Sequence, residues 1–448
     1  MRARALSILA IVATACGTSQ EIAPPIPPSP AEPSRPAAAT AALAASSEEP
    51  PGAPVSTDAD DPELREVLKA VATTRELPIK ERVRVTSLGR DALLAKTKKK
   101  VAEEIPAGVI DLQGEVLRAL GLIPVGYAVE EGLLKLVSAR VAGFYDPDDK
   151  TMYLLDDLED DQRQETLPHE LVHALQDQSF SIGPLLDYRE GETDRSTAIQ
   201  MLVEGDATSA GFDIAFGSAF SVDEDALQAS FLLSTSMSTV GAQTPPVLIG
   251  SLIAPYTDGF SFAQALRKHG GWRAIDGAYK ELPASTEQIL HPEKYFVKEQ
   301  PVVVPAPSVS ALGEGFEAAI VDVNGELGLR LMLEQWTARK VATKAAAGWG
   351  GDRYVVARKK ATNEHALALF TRMDTQADAD ELTRVLEGEF GRACRARADL
   401  GPVVVKKRSR DVVVVAGPYA LDAGGAKGTG TCEVAGKWVS DLLAAVPK

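Results

Sequence analysis

Positive charge, cysteine, histidine and long apolar runs are what this 448-residue sequence has least of. Its 47 Lys and Arg stand against 63 Asp and Glu, for a formal net charge of −16. Such a chain lacks the basic footprint that phosphate backbones or anionic lipid headgroups require, so nucleic acid and charged membrane surfaces are excluded as partners. Only three cysteines occur, Cys16, Cys394 and Cys432, with no CxxC and no Cys–His spacing, so a thiolate zinc site is excluded. The one apolar run near the start, residues 5–15, is too short for a permanent membrane-spanning helix. No tandem repeat is evident.

Against five histidines in all, two that stand four apart are informative. Residues 169–173 read HELVH: His169 and His173 lie on one face of a helix, a turn apart, and Glu170 lies one step round from them. Two imidazoles that can reach one metal ion, with a carboxylate beside it, form a ligand pair plus a base. Pro168 suits a first helical turn, Glu165 suits the positive end of the helix dipole, and Leu171, Val172, Ala174 and Leu175 supply a buried face.

The third ligand decides the kind of site. Position 179 is Ser179, which excludes a third histidine six residues after the second. A carboxylate must complete the set, and Glu204 interrupts an otherwise apolar and small-residue helical pattern over 194–207. A buried carboxylate there carries a desolvation penalty that a metal on His169 and His173 removes. Gly205 and Ala207 allow a second helix to come close. Rivals for the place are Glu190, Glu192, Asp194 and Asp206. Asp177 and Asp206 are candidates for orienting an imidazole through its free ring nitrogen.

HELVHALQD followed by a Glu on a later helix resembles the gluzincin branch of zinc metallopeptidases, the thermolysin-like arrangement. A broader resemblance, to uncharacterised secreted bacterial and archaeal zincin-like proteins, takes in GFYDP at 143–147, HELVHALQDQ at 169–178, LVEGDA at 202–207, STEQILHPE at 285–293 and GWGGDRY at 348–354. The resemblance implies a Zn2+ cofactor, peptide or protein substrates, and hydrolysis through a zinc-bound water with Glu170 as general base. It departs from the thermolysin pattern where an Asp is expected four residues after the glutamate ligand, a place held by Thr208. His291 follows Glu204 in chain order, as a transition-state histidine does in thermolysin-like enzymes, and is the candidate donor to the developing oxyanion, with Tyr295 as the alternative. The other reading of His291-Pro292 is a helix cap. His269 and His365 are not candidate ligands.

Two strands, over residues 140–145 and 151–155, read as a hairpin just before the HELVH helix. It either adds an extended substrate as a further strand or is an interior hairpin with no ligand role. Of two short basic runs, 98–100 is expected at the exposed end of a helix and 406–408 in a turn, both solvated.

The N-terminus, with Arg2 and Arg4 before the apolar run, reads as a secretion signal. Residues 13–16, Ala-Thr-Ala-Cys, resemble a bacterial lipobox, which implies lipid attachment at Cys16, and Gly17 in the next position points to the outer membrane. Residues 17–62 are rich in Pro, Ala, Ser and Glu and read as a disordered tether. The expected fold class is α+β: a zincin-like domain over 63–305, then a smaller domain over 306–448. In the latter, helix, two strands, helix, two strands, helix is accounted for by an antiparallel sheet with helices on one face. Its first helix is expected over 326–347, and Trp349 reads as a core anchor. Cys394 and Cys432 are expected to pair. The functional expectation is an envelope-tethered zinc metallopeptidase; the alternative is a catalytically silent zincin-fold surface lipoprotein that binds a partner or builds a surface structure.

Overall fold

Apolar residues three and four apart in the first half of the chain become helices packed around a small sheet. The computed structural model describes residues 55–57 and 62–445. The expected signal, the expected lipid site at Cys16 and most of the expected 17–62 tether lie outside the described residues. Val55–Thr57, at the end of that tether, form a strand (β1) paired antiparallel with Val85–Ser87. Helices α1 (Pro62–Arg75), α2 (Arg90–Glu104), α3 (Val109–Leu120) and α4 (Val129–Arg140) surround strands β2 (Arg84–Leu88), β3 (Gly143–Asp146) and β4 (Thr151–Leu155). The sheet order is β1-β2-β4-β3, with β2 and β4 parallel. β3 and β4 form the expected hairpin, with Tyr145 opposite Met152.

Lys100 departs from the expected solvated run. It is 8% exposed and its ammonium bonds Asp146 and reaches Asp148 at 3.3 Å, which ties α2 to the hairpin turn.

The HELVH helix, α5 (Asp160–Phe180), begins eight residues upstream of Pro168, so Pro168 stands inside the helix and Glu165 does not mark its start. Gln162 accepts from the Glu159 N–H at 3.2 Å and supplies the start signal further back. Pro168 has no N–H to offer the preceding turn, a local cost that the packing of Leu171, Val172 and Leu175, all fully buried, outweighs.

Three further long helices follow, α6 (Thr193–Phe216), α7 (Glu224–Met237) and α8 (Pro246–Gly270), and after them the short α9 (Trp272–Ala278) and α10 (Thr286–Leu290). α6 and α8 run side by side in the same direction, since Gly205 meets Gly259 and Asp213 meets Arg267 further along. Their contact is backbone on backbone. A Cβ at Gly205 would lie 2.0 Å from the Gly259 carbonyl oxygen, and one at Gly259 would lie 2.3 Å from the Met201 carbonyl oxygen. We expect Gly205→Ala to push the two helices apart and cost about 1–3 kcal/mol or more. Chemical denaturation measures it, and an unchanged midpoint would show that the helices can separate freely.

The C-terminal half is a seven-stranded antiparallel sheet, with β5 (Glu317–Asp322), β6 (Trp349–Lys359), β7 (Glu364–Met373), β10 (Asp411–Asp422), β9 (Gly401–Arg408) and β8 (Arg395–Arg397) in that order and β11 (Gly425–Gly428) against β10. Alternation sorts its residues cleanly. Tyr354, Val356, Leu367, Leu369, Val412 and Val414 face one core, and Val355, Ala357, Ala366, Ala368, Val413 and Val415 face the other. Helices α11 (Gly325–Leu333), α12 (Arg339–Ala346) and α13 (Gln376–Phe390) cover the first face, while α14 (Cys432–Ala445) covers the second through Trp438, Val439 and Leu442. The expectation of helices on one face is therefore corrected: the valine strands are apolar on both sides and both sides are covered. The single helix expected over 326–347 is two, parted by a turn that seats Trp336 edge-on to Phe390, ring centroids 5.1 Å apart. β5, β8 and β11 were not expected; β8 and β11 are short and made of Arg, Ala, Lys and Gly, whereas β5 carries Ile320 and Val321, a brief strand signal that the sequence reading missed. Trp349 is fully buried, as expected. Cys394 and Cys432 form a disulfide, Cα atoms 5.8 Å apart, joining β8 to the start of α14.

The two halves share more than the crossing near residue 305. Val116, Ala119 and Leu120 of α3 belong to the core under the C-terminal sheet. The Tyr419 hydroxyl donates to Glu115 at 2.6 Å, and Arg397 donates to the Ala119 carbonyl at 2.7 Å. The STEQILHPE and GWGGDRY segments also meet here. Thr286, from the former, donates through N–H and hydroxyl to buried Asp194 at the start of α6, and Asp352, from the latter, accepts from Asn324 and Gly325 N–H groups and the Trp349 indole. These segments build a junction.

Candidate metal centre

On α5, His169, His173 and Gln176 fall on one face, because three- and four-residue steps return to the same side of a helix. That face looks at α6, where Glu204 lies one residue before the Gly205–Gly259 contact. The close approach of α8 fixes the position of α6 there. His169 Nε2 is 3.3 Å from Glu204 Oε2, His173 Nε2 is 3.4 Å from the same oxygen, and the two Nε2 atoms are 3.1 Å apart. Tetrahedral zinc with bonds of about 2.0–2.1 Å spaces its ligands about 3.3–3.4 Å apart along each edge. The triangle of two imidazole nitrogens and one carboxylate oxygen, with edges of 3.1, 3.3 and 3.4 Å, comes close to those spacings and has that donor chemistry. Two neutral imidazoles and one carboxylate carry a single negative charge, which suits a divalent cation.

Burial is nearly complete. Glu170, His173 and Glu204 are 1–2% exposed, and the His169 side chain, at 13%, marks the side on which the centre opens. Tyr256 of α8 lies on that side, ring centroid 6.0 Å from His169, and Phe231 of α7 stacks on Tyr256 at 6.0 Å.

Charge within the triangle is settled by proximity. Burial works to raise the Glu204 carboxyl, but the charge and hydrogen bonds of His173 and His169 outweigh it and hold the pKa down to about 2. Burial works to lower His173, and the charge and hydrogen bond of Glu204 outweigh it and hold the imidazole up to about 9. His169 is pushed down, chiefly by burial. Both shifts favour a charged His173 beside an ionised Glu204 in the metal-free triangle. A divalent cation held by this triangle would have to displace the His173 proton, so its apparent affinity would rise with pH until about pH 9. Calorimetric titration with zinc in buffers of different ionisation enthalpy should show close to one proton released per ion at pH 7. Release of none would contradict the protonated His173.

Glu170 stands beside the triangle and outside it. Its Oε2 accepts from the Tyr145 N–H of β3 at 2.8 Å. Burial pushes its carboxyl well above the ordinary range, with Glu204 adding to the rise while His173 and the Tyr145 N–H oppose it. β3 is the outer strand of its sheet, all four of its residues are buried, and the Tyr145 N–H is already taken. The hairpin is therefore not interior to the sheet: β3 lies at its edge, with the Tyr145 N–H occupied by Glu170.

The other sequence candidates fall elsewhere. Asp206 touches neither imidazole; it accepts from Gln176 Nε2 at 2.9 Å, Tyr279 at 3.0 Å and Arg75 Nε at 2.5 Å. Asp177 accepts from the Tyr145 hydroxyl and Lys150, each at 3.0 Å, so it holds the hairpin to α5 and orients no ligand ring. Asp194 binds Thr286, Glu192 reaches Arg195 at 3.5 Å, and Glu190 is exposed. His291 does not join the centre. Its Nε2 is 2.8 Å from buried Glu326 on α11, a partner that its place in the chain gave no hint of. The Tyr295 hydroxyl donates to the Glu281 carbonyl at 2.8 Å. His269 stacks on Phe296 and His365 lies in β7.

The sequence reading missed Gln176, whose Oε1 is 2.8 Å from His173 Nδ1. Its spacing three after His173 was the available signal. Tyr145 acts through its backbone, for which a sequence gives no sign. The remaining acidic cluster among the described residues, Glu287, Glu299 and Asp374, is held together by the Lys294 ammonium, 2.5–2.9 Å from each.

A family model for a domain of unknown function, DUF8575, matches residues 317–425, which is the C-terminal sheet and excludes every residue of the metal centre. No solved structure matches the chain.

Proposed function

We propose that this protein is a zinc metallopeptidase with a gluzincin-type centre in a zincin-like domain, hydrolysing peptide bonds. The reading is carried by one observation: His169 Nε2, His173 Nε2 and Glu204 Oε2 form a triangle with edges close to those of a tetrahedral zinc site, with Glu170 adjacent. Bound there, zinc would supply Lewis-acid activation of water and of a carbonyl oxygen. Glu170 takes the proton from the attacking water and returns it to the leaving amine, serving as base and then as acid. The Tyr145 N–H grips one carboxylate oxygen, which fixes the side chain and leaves the other oxygen for the proton. Burial keeps bulk solvent away from Glu170, His173 and Glu204, so charges here act at low dielectric.

The reading includes an envelope location. The lipobox-like residues 13–16 support lipid attachment at Cys16, and the proline-rich residues 17–54 support a tether. Radiolabelled palmitate incorporated by the wild type and absent from Cys16→Ser would bear this out. Among the described residues, no helix is long and apolar enough to cross a membrane.

One observation favours the second reading, a zincin-fold lipoprotein that does no chemistry: Glu170 is 1% exposed, and a peptide must displace something to reach it. Zinc content together with cleavage of a peptide library by wild type and Glu170→Gln separates the two. Zinc retained with no peptide cut by the wild type would sink the peptidase.

A further inference from the structure

Resting on the zinc reading above, we propose that Gln176 is the positioning residue that holds His173 in its metal-ligating form, and that Arg75 of α1 sets the Gln176 amide through Asp206.

A carboxamide has one accepting end and one donating end. Gln176 is fully buried, and its Nε2 lies 3.0 Å from the Val203 carbonyl and 2.9 Å from Asp206 Oδ2. A backbone carbonyl only accepts. Asp206 also accepts, since Arg75 Nε and the Tyr279 hydroxyl both donate to it and the guanidinium balances its charge. The amide nitrogen must therefore face these two, which turns Oε1 toward His173 Nδ1 at 2.8 Å. Oε1 can only accept, so Nδ1 carries the hydrogen and the Nε2 lone pair is left for the ligand triangle.

Each step follows from the one before, and the chain starts at Arg75. That side chain is fully buried, donates to Asp276 at 2.8 Å and lies over the Trp272 ring at 4.7 Å. Val203 is the backbone neighbour of Glu204, so Gln176 also registers the helix carrying the carboxylate ligand against the helix carrying the imidazoles. A helix about a hundred residues before the HELVH segment is thereby part of the metal centre, although it supplies no ligand.

Zinc dissociation constants from chelator competition test the proposal, together with the His173 Nδ1–H signal in nitrogen-15 histidine spectra of zinc-loaded protein. We expect Gln176→Met to weaken zinc about 10–100-fold, as loss of an outer partner does, and to expose Nδ1–H to exchange. Gln176→Glu alone places two carboxylates together and should also weaken zinc. Adding Asp206→Asn to it restores a donor opposite an acceptor at that contact, with the Val203 carbonyl still facing an acceptor, and should recover part of the affinity and of the protected Nδ1–H. Should Gln176→Met not fold, the comparison of Gln176→Glu with that double exchange decides by itself. Wild type that binds zinc beside variants that bind it equally well overturns this proposal alone. Wild type that binds no zinc overturns the proposal and the zinc reading together.

Discussion

On the proposed peptidase reading, Glu170→Gln is expected to lower the rate of peptide hydrolysis by about 10²–10⁴-fold, the contribution of one well-placed acid–base group, with zinc content unchanged from the wild type. The amide nearly matches the carboxylate in shape, and its oxygen can still accept from the Tyr145 N–H. What it cannot do is take a proton from water. Steady-state kinetics on a peptide that the wild type cuts, with metal analysis of both proteins, gives the comparison. Wild-type turnover in the variant would remove Glu170 from the chemistry. Joint loss of zinc would show that Glu170 builds the centre and does not merely serve it.

Glu204→Ala has the larger effect on the metal. The triangle loses its only charged donor, two imidazoles remain, and zinc affinity falls by more than the 10–100-fold expected for an outer partner. His173 loses the charge that raises its pKa, so the ring titrates at lower pH and the proton released on zinc binding at pH 7 decreases. Glu287→Gln is the control, since Glu287 belongs to the separate cluster gathered on Lys294. Zinc bound equally by Glu204→Ala and wild type would mean that another group closes the triangle.

The sequence made the ligand helix legible because the requirement there is local: two imidazoles one turn apart need only a helix. Glu204 was legible for a different reason, as a carboxylate stranded among Leu202, Val203 and Gly205, where desolvation demands a partner. The roles of Asp177 and His291 were not legible. Asp177 has the right helical offset, but its side chain answers to Tyr145 and Lys150 on the hairpin, and His291 answers to Glu326 on a helix in the other half of the chain. Chain order carries no information about such partners. In the C-terminal half, the valine strands were read correctly because their patterning is strong. β8 holds Arg and Ala at one edge of the sheet, where hydrogen bonding to a neighbour is enough to fix a strand, and β5 at the other edge offers only the short pair Ile320-Val321. The start of α5 was misplaced because Pro168 is a good first-turn residue and only a dense core overrules that preference.

The participation of α3 in the sheet's lower core has a practical bearing on how this protein can be dissected. A fragment cut at the proline-punctuated stretch near 305 would leave Leu329, Met332 and Val414 without the cover of Val116, Ala119 and Leu120, and Tyr419 without an acceptor. Recombinant 306–448 would thus present a sticky floor and tend to clump. A soluble excised piece needs residues 109–120 grafted on, so the smallest portable cassette is discontinuous in the gene.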